Sequence, residues 1–449
     1  MGFASLLLVL ATVLLTDANQ IVVRTTVICA LAIVFFATRL LPEMLTAILC
    51  FLAFLALGSA PPEIIFSGFA TSGFWLIFSG LIIGAAITQT GLGTQLAARL
   101  FAKTGNSYRR AVVLLALCGV GLGLLVPSTM PRIIVMMPIA VSLATTMGYA
   151  TGSRGQVGLA IAAASATLLP TYAILTANLP TIVHYGALET LYGTAPSYGQ
   201  YFLAQLPVNV VRLGVLIALL VSFAKSAPTT TAQRPEPSSA APLTGLQMRL
   251  LAVLSVAILF WASDSYHGIS PAWIALGVAA IVLWPATGFL AKDSIKSSID
   301  MSPAFFLAAI FGVSAVARHL GLDTIVADAF IPHLKLSNGS DFGNLYAMTG
   351  FSAGLSHLTT APAAPVVLAP LAGSMAQASG WHIQTVAMVQ IIGISTPLIP
   401  YQAPPFIIAM SLAYIPISTL TRVCIYLAIG VALLGLPLTY LWWRAIGLL

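Results

Sequence analysis

Charge is what this sequence has least of. Only 6% of its 449 residues are Asp, Glu, Lys or Arg, while 59% are hydrophobic; soluble domains carry about a quarter charged residues. A chain this apolar would not stay dispersed in water. Its apolar runs are continuous rather than alternating, which argues against a β-barrel and leaves an all-α polytopic membrane protein. The 11 acidic residues lie at segment ends or in loops, so no buried carboxylate pair is at hand for a proton pump or a cation/proton antiporter. Cysteine is scarce too. Cys29, Cys50, Cys118 and Cys424 sit singly in apolar segments, without metal-ligand spacing or a disulfide framework, and read as small buried hydrophobes. HExxH, GxSG and GxGD motifs are missing, so a catalytic set for an intramembrane enzyme is missing with them. The net +7 comes from 18 Lys and Arg scattered at segment ends; they read as topology determinants, with no cluster to suggest nucleic acid.

What is there in abundance is apolar segments, at 3–17, 20–38, 43–58, 73–92, 111–146, 156–184, 200–224, 247–262, 271–290, 302–320, 343–379, 383–411 and 421–445. No Lys or Arg precedes the run from Phe3 to Thr16, so residues 1–19 read as a retained first transmembrane helix rather than a cleaved signal. Segments 111–146 and 343–379 are split in the middle by Pro, Ser and Thr. Each arm is then ~15 residues, roughly 22 Å long, too short to cross a core of ~30 Å. Both are expected to be re-entrant helical hairpins. That makes about 11 transmembrane helices plus two hairpins. The loop charges agree: Arg99, Lys103, Arg109 and Arg110 precede the first hairpin and Arg154 follows it, while Asp323, Asp328, Lys335 and Asp341 precede the second and His382 follows it. The first thus has cytoplasmic flanks and the second external ones, with a cytoplasmic N-terminus.

Residues 225–246 form a Pro/Ser/Thr-rich stretch that reads as a flexible cytoplasmic linker between a first repeat, 20–224, and a second, 247–449. FWLIFSGLIIGAAITQTGLGTQLAARL from Phe74 lies over AFFLAAIFGVSAVARHLGLDTIVADAF from Ala304, with Gly-Leu at Gly91 and Gly321 in register. Each copy continues into a hairpin and then into a helix broken at prolines, 156–184 and 383–411. Two such copies of opposite orientation make an inverted-topology repeat, which points to a transporter.

The first tip reads LVPSTMPR, and Pro127 and Pro131 stop any continuous helix there. Thr129 or Met130 is expected to cap the second arm, with Pro131 in its first turn. The first arm ends in free carbonyls and the second begins with free N–H groups, so one tip offers oxygens to a cation and donors to an anion. Arg132 is costly in a first helical turn inside a membrane. A bound anion would offset that cost; so would bonds to neighbouring carbonyls. The second tip, GLSHLTTAPAAP, brings Ser356, His357, Thr359, Thr360 and the breaker Pro362. His357 is either a proton carrier or ligand contact, or a satisfied buried histidine. The candidate substrate-binding set is therefore Ser128, Thr129, Met130, Arg132, Ser356, His357, Thr359, Thr360 and Pro362. The candidate cation-binding set is Ser128, Thr171, Asn178, Thr360, Thr396 and Gln402, with Thr171, Asn178, Thr396 and Gln402, at the helix breaks, contributing through unwound carbonyls and side chains.

These motifs resemble the divalent anion/sodium symporter family of the ion transporter superfamily, over nearly the whole chain. The resemblance rests on WLIFSGLIIGAAITQTGLG, the two hairpins, the linker and the broken helices in order. It implies an inverted-repeat fold, a homodimer in the lipid bilayer of the cell's inner (plasma) membrane, and an elevator mechanism. It also implies a small anionic substrate, a di- or tricarboxylate or sulfate, with symport of sodium favoured over anion exchange. No organic cofactor is expected, and no metal beyond sodium (Na+) as the coupling ion. The family carries Ser-Asn-Thr at its tips; here Ser128-Thr129-Met130 keeps the serine alone. Ser356 to Ala363 is similar to the Thr-His-Tyr-x-Thr-Gly-Pro-Ala pattern of the citrate and 2-oxoglutarate/malate exchanger branch.

Overall fold

The computed structural model describes residues 21–38, 40–101, 107–126, 128–225, 242–291 and 299–449. The expected first helix, 1–19, Pro127 and most of the linker lie outside the described residues. Among the described residues every regular element is helical. With 59% hydrophobic residues in the chain and helices throughout the described residues, this is an integral membrane protein, and among the described residues eight helices are long and apolar enough to cross a bilayer.

Helices of nine residues or more are numbered in chain order. The first repeat opens with α1 (Ile21–Thr38), α2 (Glu43–Leu57) and α3 (Ser72–Thr90). Gly91, at φ 67°, ends α3 in the left-handed conformation that favours glycine, and the short α4 (Leu92–Phe101) turns away from it. The second repeat does the same: α12 (Ser302–His319) stops at a turn whose Gly321 has φ 70°, and α13 (Leu322–Phe330) follows. The sequence alignment at the two Gly-Leu pairs is therefore a structural equivalence. The short helices after each glycine were not anticipated as separate elements.

The first hairpin is α5 (Tyr108–Leu125) and α6 (Thr129–Thr146); the broken helix after it is α7 (Arg154–Leu168) and α8 (Leu179–Tyr192). Then come α9 (Tyr198–Val221), α10 (Gly245–Ala262) and α11 (Pro271–Leu283). The second hairpin is α14 (Asp341–Leu358) and α15 (Ala364–Ser379), and its broken helix is α16 (Ile383–Ile394) and α17 (Pro404–Ala413). The chain closes with α18 (Ile417–Gly430) and α19 (Leu436–Ala445), joined by a π-helical turn over Val431–Gly435. Pro437 has no N–H for the carbonyl four residues back, and the wider turn absorbs that break.

The hairpin arms are longer than the sequence suggested. Three have 18 residues and the fourth 16, which is about 24–27 Å at 1.5 Å per residue. Length alone therefore does not make them re-entrant; the position of their tips does. Each tip meets the unwound middle of a broken helix, so it stops partway through the bundle. The first arm of each hairpin packs along the first half of its own broken helix, α5 on α7 and α14 on α16. The second arm of each also packs on the other repeat's broken helix, α6 on α17 and α15 on α8. The inverted repeats are thereby interlocked around a common centre.

Candidate functional site

At that centre lies a cavity of about 120 Å³, room for several waters or a small polyatomic ion. Ser128, Thr129 and Met130 of the first tip line it, and Ala361 and Pro362 of the second tip face them. The first break contributes Leu168, Tyr172, Leu179 and Pro180, and the second break Ala403, Pro404 and Pro405. The rest of the wall comes from outside the hairpins: Ile77 and Leu81 of α3, Pro303 at the start of α12, and Glu43 at the start of α2. Glu43 is the single carboxylate among these lining residues.

Besides α2 and α12, four helices of the hairpins and breaks begin at this cavity. α6 starts after Ser128, α8 after Asn178, α17 after Ala403, and α15 two residues beyond Pro362. None of the four N-cap positions makes a side-chain capping bond. Four positive dipole ends of roughly half a charge each thus converge on one space; at α15 and α17 the first-turn N–H groups are bonded within the turn or replaced by proline. The N-cap of the first hairpin's second arm is Ser128, one residue before the earlier of the two expected caps, in extended geometry at φ −149°.

The first tip is fastened to the first break by side chains. Thr129 Oγ1 donates to Asn178 Oδ1 at 2.8 Å, and Asn178 Nδ2 donates to Thr171 Oγ1 at 3.2 Å. Arg132 stands behind the tip and is not among the lining residues. It is 1% exposed, and its Nη2 donates to the Ala177 carbonyl at 2.6 Å and to Thr129 Oγ1 at 2.8 Å. Of the two readings offered for Arg132, the geometry displays bonding to neighbouring oxygens. Ser128, Thr129, Thr171, Asn178 and Arg132 therefore form one cluster.

The second tip is fastened by main chain. Ala361 N donates to the Gln402 carbonyl at 2.9 Å, and Tyr401 Oη to the His357 carbonyl at 2.5 Å. Gln402 Oε1 accepts from Leu398 N and Ile399 N at 2.8 and 3.1 Å, closing the loop of the break. His357 Nδ1 lies 2.6 Å from the Ala353 carbonyl, in the last turn of α14. Thr359 Oγ1 donates to Leu355 O at 3.1 Å, and Thr360 O accepts from Ala363 N and Ala364 N. Ser356 is buried in the same turn. Of the expected second-tip residues only Pro362 lines the cavity.

Thr396 donates to Ile392 O and accepts from Arg212 Nη2 at 2.8 Å. Arg212 corrects the picture of cations scattered at segment ends: it sits in the interior of α9, 2% exposed. Its signal was available as an arginine inside LPVNVVRLGVLIALL, since ionisable residues within spans are expensive and face the bundle interior. Tyr172 and Glu43 gave no comparable signal. Both are ordinary residues at helix ends until the fold brings them to the cavity. The four cysteines are free and buried, as expected of small apolar side chains.

Comparison with known proteins places these features in context. The profile of a family described as "Sodium:sulfate symporter transmembrane region" matches residues 3–449. A membrane protein of Cupriavidus necator is 27% identical over 231 residues, 50% of this chain and 45% of that protein. The uncharacterized transporter YfbS of Escherichia coli is 31% identical over 46% of this chain and 32% of its own length. The inner membrane protein YbhI of Escherichia coli is 23% identical over 61% and 59%. The chain thus spans less than two thirds of each of these relatives. Among solved structures, Alcanivorax borkumensis YdaH, a transporter of unusual topology, superposes with TM-score 0.58 at 17% identity, covering 86% of this chain and 88% of that one. Neisseria gonorrhoeae MtrF, described with a class of antimetabolite efflux pumps, superposes with TM-score 0.56 at 15% identity, over 84% and 82%. At these identities the likeness is one of fold.

Proposed function

Because the chain belongs to the sodium:sulfate symporter family of membrane transporters, we propose that it is a secondary active carrier of a small divalent or trivalent anion, either a di- or tricarboxylate or sulfate. The observation that carries this reading is the convergence of four uncapped helix N-termini on one cavity. Converging positive helix ends in a low-dielectric interior favour negative charge, as phosphate and carboxylate sites at helix starts do. Ser128, at an N-cap with no side-chain capping bond, lines the cavity and can offer its hydroxyl to the same ligand. Buried Arg132 and Arg212 add positive charge behind the wall, and Tyr172 on the wall is within electrostatic reach of both. The chain works as a carrier, not an enzyme.

An elevator step suits where the cavity lies. One wall is the interlocked hairpins and broken helices; the other is α2, α3 and the start of α12. A site on such a seam changes sides when one group slides past the other. The cytoplasmic N-terminus, supported by the loop charges, belongs to the same proposal, as do the homodimer and the plasma-membrane location that the family resemblance implies. Efflux of a larger solute, suggested by the likeness to MtrF, is the second reading; Glu43 on an otherwise anion-favouring wall is what speaks for it.

The test is counterflow of labelled succinate, citrate and sulfate into proteoliposomes preloaded with the same unlabelled anion, in sodium medium. Saturable accumulation of at least one is expected. No flux of any of them overturns the anion reading.

A further inference from the structure

The first break already contains a cation, and it is part of the chain. The Arg132 guanidinium sits among four oxygens. Nε donates to the Ser128 carbonyl at 3.1 Å, and Nη2 donates to Thr129 Oγ1 at 2.8 Å, to the Ala177 carbonyl at 2.6 Å and to Asn178 Oδ1 at 3.3 Å. Nη1 has no partner and lies against the last turn of α5, the carbonyl end of that helix. Gly123 makes the room: a Cβ there would stand 2.7 Å from Nη1. Carbonyl, hydroxyl and amide oxygens gathered at a hairpin tip and an unwound helix are the donors a small hard cation takes in a transporter.

The second break repeats the arrangement with a different donor helix. Arg212 reaches from α9 to the carbonyl end of α16, where Nη2 donates to Ile392 O at 3.1 Å and to Thr396 Oγ1 at 2.8 Å. Its Nη1 donates to Asn209 Oδ1 at 2.9 Å. A cation at a helix C-terminus is favourably placed. Among the described residues neither arginine has a carboxylate partner, so oxygens of helix ends and loops are what balance them.

A sodium ion would compete with the guanidinium for these oxygens, and two like charges in one low-dielectric cage repel strongly. We propose that Arg132 and Arg212 are resident cations that fill the positions a coupling ion would take, so that this carrier moves its anion without sodium. The proposal rests on the anion-carrier reading above and selects among its coupling modes.

Two measurements on the purified full chain test it. Counterflow of the preloaded anions is compared in sodium and in choline medium, and the melting temperature is measured in the same two salts. Equal counterflow within two-fold, and equal melting temperatures, are expected. Counterflow that falls ten-fold or more without sodium overturns the proposal and leaves the carrier reading standing. A sodium-dependent rise in the melting temperature of the native chain overturns it as well. No counterflow in either salt overturns the carrier reading, and the melting comparison still decides whether the cages take sodium. Arg132→Ala, which vacates four oxygens, is expected to acquire a sodium-dependent rise in melting temperature. An Arg132→Ala chain that folds and stays indifferent to sodium overturns the claim that these oxygens form a cation site. Should that variant not fold, the native-chain comparison decides alone.

Discussion

The two hairpin tips meet the same kind of partner, an unwound helix, and hold it by different chemistry. The first uses buried side chains: Thr129, Arg132, Thr171 and Asn178 make a closed set of bonds around one guanidinium. The second uses peptide groups, with Ala361 N on Gln402 O and Tyr401 Oη on His357 O. The exposure differs accordingly: Thr129 and Arg132 are buried, whereas Leu358, beside the second tip, is 83% exposed. Buried polar networks rigidify what they satisfy and are costly when broken. The first tip is therefore the fixed side of the cavity, while the second depends on fewer and more accessible bonds.

Breaking the first clasp should have the largest effect. Arg132→Ala takes the arginine donor from the Ser128 and Ala177 carbonyls and one bond each from Thr129 and Asn178, at about 1–3 kcal/mol for each group left unsatisfied. Transport in choline medium should fall at least ten-fold, and thermal melting of the purified chain should show a drop of several degrees. Next comes Gly123→Ala, whose Cβ would stand 2.7 Å from Arg132 Nη1 and 2.6 Å from Thr171 Cγ2. Overpacking of this kind costs about 1–3 kcal/mol. If the clasp matters through Arg132, flux should drop with it; a melting shift without loss of flux would mean that the arginine's position is not critical.

On the other side, Gln402→Leu removes the acceptor for Leu398 N and Ile399 N, and about 1–2 kcal/mol is expected from unfolding curves. Smallest is Tyr401→Phe, which deletes one partly exposed bond to His357 O, about 0.5–1.5 kcal/mol. Hydrogen exchange of the amides around Leu358 should then speed up while those of the first hairpin tip keep their protection. Equal sensitivity of both hairpins to Tyr401→Phe would erase the distinction between a fixed tip and a looser one.

Much of this fold is legible in the residues. Prolines at 131, 180, 362 and 404 mark places where no helix can run through, and the Gly-Leu pairs at 91 and 321 tie the repeats together. Hairpin and break boundaries follow because a missing N–H is a local fact. Which side chains meet is a different matter. Arg132 carries a strong signal as a charge in an apolar run, but nothing local says whether it faces the cavity or the oxygens behind it. Arg212 carries the same signal and was absorbed into the general count of basic residues. Its partners, Ile392 and Thr396, lie 180 and 184 positions away, in the other repeat, where sequence distance gives no guidance. Tyr172 reaches the cavity only because two repeats interlock.

The prolines that open the four helices have one more consequence. Pro131, Pro180, Pro365 and Pro404 each stand within the first three residues of a helix that starts at the cavity, and each removes one N–H from the set that could point at a ligand. The dipole field remains, because it comes from the whole helix, but the directed donors are thinned. Discrimination among ligands through hydrogen-bond geometry needs such donors. A site built this way weighs total charge and size, and is expected to accept chemically different anions of similar bulk with similar affinity.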